Sequence, residues 1–204
     1  LFDGHDENPE DRYSGVKTPG SLYQLMELGD FKYVYADATG PMSQYFSRNY
    51  RHFLWVGDVI VVIDDLKTHE PGRFEWLLHY DGSAQCRGQD IDITKEQARV
   101  IVRPLFPETL PDGGFGHDFP EKMRLVEKQG LRDHDPKTKV AYYAITSPEI
   151  TRQTKFMTAI IPVTEANKNQ LPKTERLEGK DMIGVRISDA KTITDVYINL
   201  LADG

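Results

Sequence analysis

The stretch RHFLWVGDVIVVIDDL, residues 51–66, is the most apolar part of the chain and decides its fold. A membrane-spanning helix needs about 20 apolar residues, whereas this stretch is shorter and carries an aspartate at its middle. A buried helix is disfavoured because residues 59–63 are all β-branched, and such side chains lose rotamers in a helix but pack well on a sheet. Gly57-Asp58 is a turn signal between two strand-like runs. The stretch therefore predicts a hairpin in which residues 50–56 pair antiparallel with residues 59–66.

The second strand of this hairpin is apolar on both faces, so another layer must cover it. Elsewhere, short strand-like runs alternate with turn clusters such as LGD, HEPG and YDGS, a spacing typical of all-β sandwiches and barrels. The further predicted strands are residues 21–28, 32–36, 73–80, 98–104, 123–127, 140–146, 155–162, 182–187 and 192–200. We therefore expect an all-β fold, an antiparallel two-sheet β-sandwich with minimal helix.

Three local patterns give weaker indications. Thr and Gln stand at capping-box positions in TKEQ, which predicts one short helix at Thr94–Gln97. Aspartates alternate in GQDIDIT (residues 88–94) and recur in DHDPKT (residues 133–138). They lack the glycine and distal glutamate of a calcium loop, so both segments are interpreted as polar turns. The glycines of DGGFGHDF (residues 112–119) do not have the spacing of a nucleotide-binding loop, which indicates an ordinary mobile loop.

Composition limits the classes of function. The chain has 204 residues and no repeat or linker, so we expect a single domain over residues 1–204. Its net charge of −7 gives no electrostatic footprint for nucleic acid. The small basic grouping of Arg48, Arg51 and His52 is interpreted as a solvated face. Cys86 is the single cysteine, which excludes an internal disulfide and indicates a buried, inert thiol.

One set of polar residues is a candidate site. His52 and His79 fall within predicted strands and Asp37 falls at the end of another. If those strands are neighbours, the three side chains could converge and bind a metal or transfer protons. The alternative is that they are hydrogen-bonded groups in a half-buried sheet. We find neither a Ser-His-Asp arrangement nor histidines and cysteines at zinc-binding spacing.

The order of the strand motifs adds a resemblance. YVYADATGPM (residues 33–42) is followed by the opening stretch, then by FEWLLHYDG (residues 74–82) and FMTAIIP (residues 156–162). This order resembles the sheet region of the heparinase II/III-like polysaccharide lyases. Those proteins carry an ADA strand, a strand with Arg and His, a VVDDL strand and a WLLH strand.

The resemblance implies a large, supersandwich-like β-sandwich that follows an α/α-toroid catalytic domain. It implies a parent enzyme, periplasmic or secreted, that cleaves uronic-acid polysaccharides by β-elimination. The family's catalytic residues and metal ligands lie upstream of the region that this chain matches. We therefore expect no catalytic residue, metal ligand or cofactor in this chain, although the parent could bind a divalent metal through upstream residues.

Three functions remain open. The first is a non-catalytic sandwich domain that supports the toroid and flanks the cleft for an acidic polysaccharide. Such a piece should be poorly soluble or self-associate. The second is an independent carbohydrate-binding module that stacks sugars on exposed aromatic rings, with Tyr80 and Phe115 as candidates and Trp76 assigned rather to the core. The third is an autonomous enzyme or metal protein centred on Asp37, His52 and His79.

Overall fold

Antiparallel strands make up most of the computed structural model, which describes residues 2–3, 14–107, 124–132, 135–147 and 150–199. Within these ranges helix is confined to α1 at Ser14–Lys17 and one 3-10 turn at Gly40–Met42. The strands are β1 Ser21–Leu28, β2 Phe31–Asp37, β3 Phe46–Val56, β4 Val59–Gly72, β5 Glu75–His79, β6 Ser83–Arg87, β7 Asp90–Lys95, β8 Ala98–Phe106, β9 Arg124–Arg132, β10 Asp135–Thr146, β11 Thr151–Val163, β12 Lys173–Glu178, β13 Met182–Ser188 and β14 Ile193–Asn199. The prediction of an all-β antiparallel sandwich with minimal helix is confirmed.

The strands form three sheets. The central sheet has eight strands in the order β1-β2-β3-β4-β11-β8-β7-β6. The second sheet has the order β5-β10-β9, and the third sheet has the order β12-β13-β14. The sandwich thus has one layer more than the two that the sequence predicted.

The hairpin predicted from residues 51–66 is the centre of the central sheet. Val56 pairs with Val59, so Gly57 and Asp58 form a two-residue loop. Gly57 has a φ of 56°, and a positive φ at the first loop position is the requirement that glycine meets in a type II′ turn. β4 then pairs with β11 on its other edge, where Val62 faces Thr158.

Two hydrophobic cores lie on opposite faces of the central sheet because successive side chains of a strand point to opposite faces. One core joins Leu66 and Phe156 of the central sheet to Trp76 and other residues of the second sheet. The other core packs the central sheet against the third; its buried members include Val59, Val61, Met157, Ile183 and Val185. A covering layer for β4 was predicted, and the structure provides one on each face.

The structure corrects the weaker local predictions. No helix forms at Thr94–Gln97, because β7 runs to Lys95 and a turn with Glu96 at a φ of 54° leads into β8. GQDIDIT is not a polar turn, since most of it forms β7 with Ile91 and Ile93 in the core. HEPG lies inside β4. Three strands were not predicted, namely β6, β7 and β12. Residues 112–119 and the first two residues of DHDPKT lie outside the described residues.

The edge strand β1 exposes large apolar side chains. Leu22, Leu25 and Leu28 are 77%, 70% and 67% exposed, and Phe31 at the start of β2 is also exposed. The register with β2 places Leu22 and Leu25 on one face of the sheet and Leu28 with Phe31 on the other, so apolar side chains are exposed on both faces of this edge. No helix in the described part of the chain is long and apolar enough to cross a membrane.

Candidate functional site

The three polar residues singled out from the sequence lie in two different places. Asp37 pairs with Tyr50, and His52 pairs with Tyr35 of the same strand as Asp37, so the two share one face of the central sheet. His79 belongs to the second sheet, where its ring stacks on that of Tyr142 at a centroid distance of 5.0 Å. Across the described ranges, no three His, Cys, Asp or Glu side chains are grouped so as to hold a metal ion. The structure therefore does not bring the trio together.

Each of these residues has a local partner. The Asp37 carboxylate accepts a hydrogen bond of 2.7 Å from the backbone N–H of Thr39, which closes a turn at the end of β2. His52 Nδ1 and Tyr33 Oη lie 2.8 Å apart and share a hydrogen bond. The His52 ring also stacks on Tyr35 at 5.1 Å. Burial lowers the pKa of His52, against the opposing influence of nearby carboxylates, so the imidazole is neutral at pH 7.

Of the aromatic residues proposed to stack on sugars, Tyr80 already contacts other side chains of the chain. Tyr80 stacks on Tyr143 at 5.6 Å, and its hydroxyl donates a 2.5 Å hydrogen bond to Glu127. Burial, and then this contact with Glu127, raise the pKa of Tyr80 to about 12. Trp76 is 7% exposed, which confirms its assignment to the core. Phe115 lies outside the described residues.

Arg48 is not on a solvated face, as the sequence suggested, but in a buried ionic cluster. Asp65 Oδ1 lies 3.1 Å from Arg48 Nη2 and 2.6 Å from Lys155 Nζ. All three residues are less than a tenth exposed. The two neighbouring aspartates of IDDL point to opposite faces, so Asp65 joins this cluster while Asp64 points the other way.

On that other face, between the central and second sheets, lies a cavity of about 280 Å³. We call it the intersheet cavity. Its apolar wall is aromatic and aliphatic, formed by Met42, Phe46, Leu66, Trp76 and Phe156. This volume is just below the usual range for ligand pockets, which is about 300–1,000 Å³.

The polar side of the intersheet cavity is organised by an ion pair. Arg51 donates from Nε to Asp64 Oδ1 at 2.5 Å and from Nη2 to Asp64 Oδ2 at 3.1 Å. The two residues are directly opposite each other on β3 and β4. The Asp64 side chain is 4% exposed and that of Arg51 is 43% exposed. A bidentate pair of this kind fixes the guanidinium plane at the cavity.

Asn49 and Trp76 add groups with hydrogen-bonding capacity. Asn49 Nδ2 donates to the carbonyl oxygen of Ala38 at 3.3 Å, which fixes the amide so that Oδ1 remains an acceptor. Among the described residues, Trp76 Nε1 is a buried donor without an acceptor. A buried donor without an acceptor costs about 1–3 kcal/mol of stability. A ligand oxygen that accepts a hydrogen bond from the Trp76 indole N–H would remove this cost.

Residues from several of the sequence motifs meet at the intersheet cavity. Ala36 and Ala38 of YVYADATGPM, Arg51 of the opening stretch and Asp64 of IDDL all line it, together with Trp76 of FEWLLHYDG. The sequence motifs alone did not predict that these residues meet at one cavity. One feature of the sequence does indicate part of this site. Once the Gly57-Asp58 turn fixes the register of the hairpin, Arg51 and Asp64 are directly opposite each other on its two strands.

Known proteins were compared with the chain at the levels of sequence and structure. No family model matches it, and no curated protein matches it. A crystal structure of heparinase III matches with a TM-score of 0.62 and 12% identity, over 89% of this chain and 27% of that chain. The heparan sulfate lyase HepC from Pedobacter heparinus matches with a TM-score of 0.61 and 13% identity, over 89% of this chain and 28% of its own.

Over that length the fold is shared. The fold resemblance that the strand motifs predicted is confirmed. This chain spans about a quarter of the length of the solved lyases that it matches. At these identities, the comparison establishes the fold alone.

Proposed function

We propose that this chain is a non-catalytic β-sandwich domain of a polysaccharide lyase. In that enzyme it supports an α/α-toroid catalytic domain and flanks the cleft in which an acidic, uronic-acid polysaccharide undergoes β-elimination. The observation that carries the proposal is the likeness to heparinase III, which covers 89% of this chain but only 27% of the solved enzyme. The order of the strand motifs supports the same parent.

The apolar edge at β1 fits this role. Leu22, Leu25 and Leu28 are each more than 60% exposed on a strand that, among the strands that the structure describes, has a neighbour on one side only. An edge strand with exposed leucines is a template for association unless another element covers it. We propose that the toroid is that cover, and that the parent enzyme is periplasmic or secreted and holds any divalent metal through residues outside this chain.

The experiment is an ultraviolet assay for unsaturated uronate. The chain is incubated with a panel of acidic polysaccharides that includes heparan sulfate, hyaluronan and alginate, and a form extended towards its N-terminus is run beside it. Activity in the extended form alone is the expected result and identifies the substrate. Activity in the chain alone would contradict the non-catalytic role. Inactivity of both forms on every polymer would contradict the lyase parent.

A second candidate is an independent carbohydrate-binding module. The observation that favours it is the intersheet cavity, which combines an aromatic wall with fixed hydrogen-bonding groups in this chain itself. Saturable affinity of the isolated chain for a saccharide would support it. An autonomous enzyme centred on Asp37, His52 and His79 is not favoured, because His79 lies in a different sheet from the other two.

A further inference from the structure

We infer that the intersheet cavity binds a single uncharged pyranose residue. The inference rests on the cavity and not on the proposed lyase parent, so the two can fail separately. It assigns to this chain a saccharide site of its own, at Asn49, Arg51 and Trp76, away from the aromatic residues that the sequence suggested.

The size and wall of the cavity suit one sugar ring. Its 280 Å³ accepts a ligand of monosaccharide size. Phe46, Trp76 and Phe156 supply an aromatic surface on which the C–H face of a pyranose packs. Phe156 is 2% exposed and Phe46 is 3% exposed, so this surface is held rigidly by the core.

The polar groups suit hydroxyls, which both donate and accept hydrogen bonds. Arg51 uses Nε and Nη2 on Asp64, and its Nη1 makes no hydrogen bond to the described part of the chain. Asn49 Oδ1 is a matching acceptor, because the amide nitrogen is already used on Ala38. A donor and an acceptor beside an aromatic wall form the small set of convergent polar groups that orients a bound ligand.

The charges at the cavity select against an anionic sugar. Asp64 and Glu75 contribute two negative charges to the lining and Arg51 contributes one positive charge. Arg51 is already neutralised by Asp64, and Lys128 Nζ lies 2.7 Å from Glu75 Oε1. Among the described residues that line the cavity, no positive charge remains without a carboxylate partner to offset a uronate carboxylate or a sulfate, so desolvating such a group there is unfavourable.

The test uses the two tryptophans as reporters in a nuclear magnetic resonance titration of the chain. Trp76 lines the cavity, whereas Trp55 does not and serves as the internal control. We expect methyl glucoside and N-acetylglucosamine to shift the Trp76 indole N–H signal saturably at millimolar concentration, while glucuronate has at least tenfold weaker affinity. The Trp55 signal should not move.

Three variants check the location. Ala36→Leu fills the cavity and should weaken binding more than tenfold. Ala98→Leu makes the same change at an exposed strand position outside the cavity and should leave binding unchanged. Arg51→Lys keeps the charge opposite Asp64 but removes the planar guanidinium, and should also weaken binding at least tenfold.

Several results would overturn the inference. These are no Trp76 shift with either uncharged sugar, equal shifts of both tryptophans, glucuronate binding as tightly as glucose derivatives, or undiminished binding by Ala36→Leu. If Ala36→Leu fails to fold, undiminished binding by Arg51→Lys has the same meaning. The lyase assay is independent, since sugar binding without a lyase parent, or the reverse, gives distinguishable outcomes.

Discussion

Replacing Asp65 by Asn should destabilise the fold far more than removing Lys155, one of its two cationic partners. Asp65 Oδ1 lies 2.6 Å from Lys155 Nζ and 3.1 Å from Arg48 Nη2. At an effective dielectric constant of about 20, these distances correspond to about 6 and about 5 kcal/mol of attraction. Most of this attraction is offset by the cost of desolvating each ion, which is several kcal/mol.

The two substitutions differ in what they leave behind. Asp65→Asn leaves Lys155 as a buried cation without its carboxylate, and breaking a buried pair in this way costs about 3–5 kcal/mol. Lys155→Met removes the Lys155 charge together with its desolvation cost, and Asp65 keeps Arg48. We expect Lys155→Met to change the free energy of unfolding by less than about 1 kcal/mol.

The assay is urea unfolding followed by tryptophan fluorescence, with the midpoint and slope fitted for each variant. The double variant Asp65→Asn/Lys155→Met is the control, and it should be more stable than Asp65→Asn alone because the Lys155 cation, one of the two that lose the Asp65 carboxylate, is gone. The reasoning is refuted if Asp65→Asn lies within about 1 kcal/mol of the original chain, or if Lys155→Met is equally damaging.

Three further predictions concern pH, association and packing. The pKa of His52 is lowered in the folded state, so the stability that its neutral imidazole contributes is present above the unfolded pKa of about 6.5 and is lost as the pH falls below that value. An imidazole titration by nuclear magnetic resonance with a midpoint at or above about 6.5 would contradict this prediction. Leu25→Lys should reduce self-association in sedimentation while changing stability by no more than about 0.5 kcal/mol, and unchanged association would exclude the β1 edge as its cause. Gly72→Ala should cost about 1–3 kcal/mol in thermal unfolding, because a Cβ there would overlap the Phe2 ring, and a neutral result would show that Phe2 moves freely.

The strands that could be predicted are those in which a run or alternation of apolar residues is visible within the strand's own sequence. The hairpin around Gly57 was predicted because β-branched runs and the turn residues agree on one structure. β6, β7 and β12 were missed because their sequences SAQCR, DIDITK and KTERLE are polar. In β7 the buried Asp92 is tolerated because Arg99 holds its carboxylate at 2.7 Å and lowers its pKa. Arg99 lies on β8, so no pattern within the β7 sequence indicates that Asp92 has a partner.

The predicted helix at Thr94–Gln97 failed for a related reason. A capping box indicates a helix only when a helical apolar pattern follows it. Here the following residues ARVIV have the pattern of a strand, and β8 begins at Ala98. The intersheet cavity and the buried Asp65 cluster were likewise not predictable, because both depend on which strands become neighbours. Lys155 reaches Asp65 only through the pairing of β4 with β11.

That pairing also shapes how the protein must be made. β1 to β4 can form their antiparallel pairs as soon as they are synthesised, since each strand is joined to the next by a short connection. β11, which completes the central sheet beside β4, is encoded roughly a hundred residues later. Until it arrives, the most apolar strand of the chain has an open edge, a template for wrong pairing between nascent chains. Slow translation or a shortage of chaperones before residue 151 should therefore lower the soluble yield of this protein.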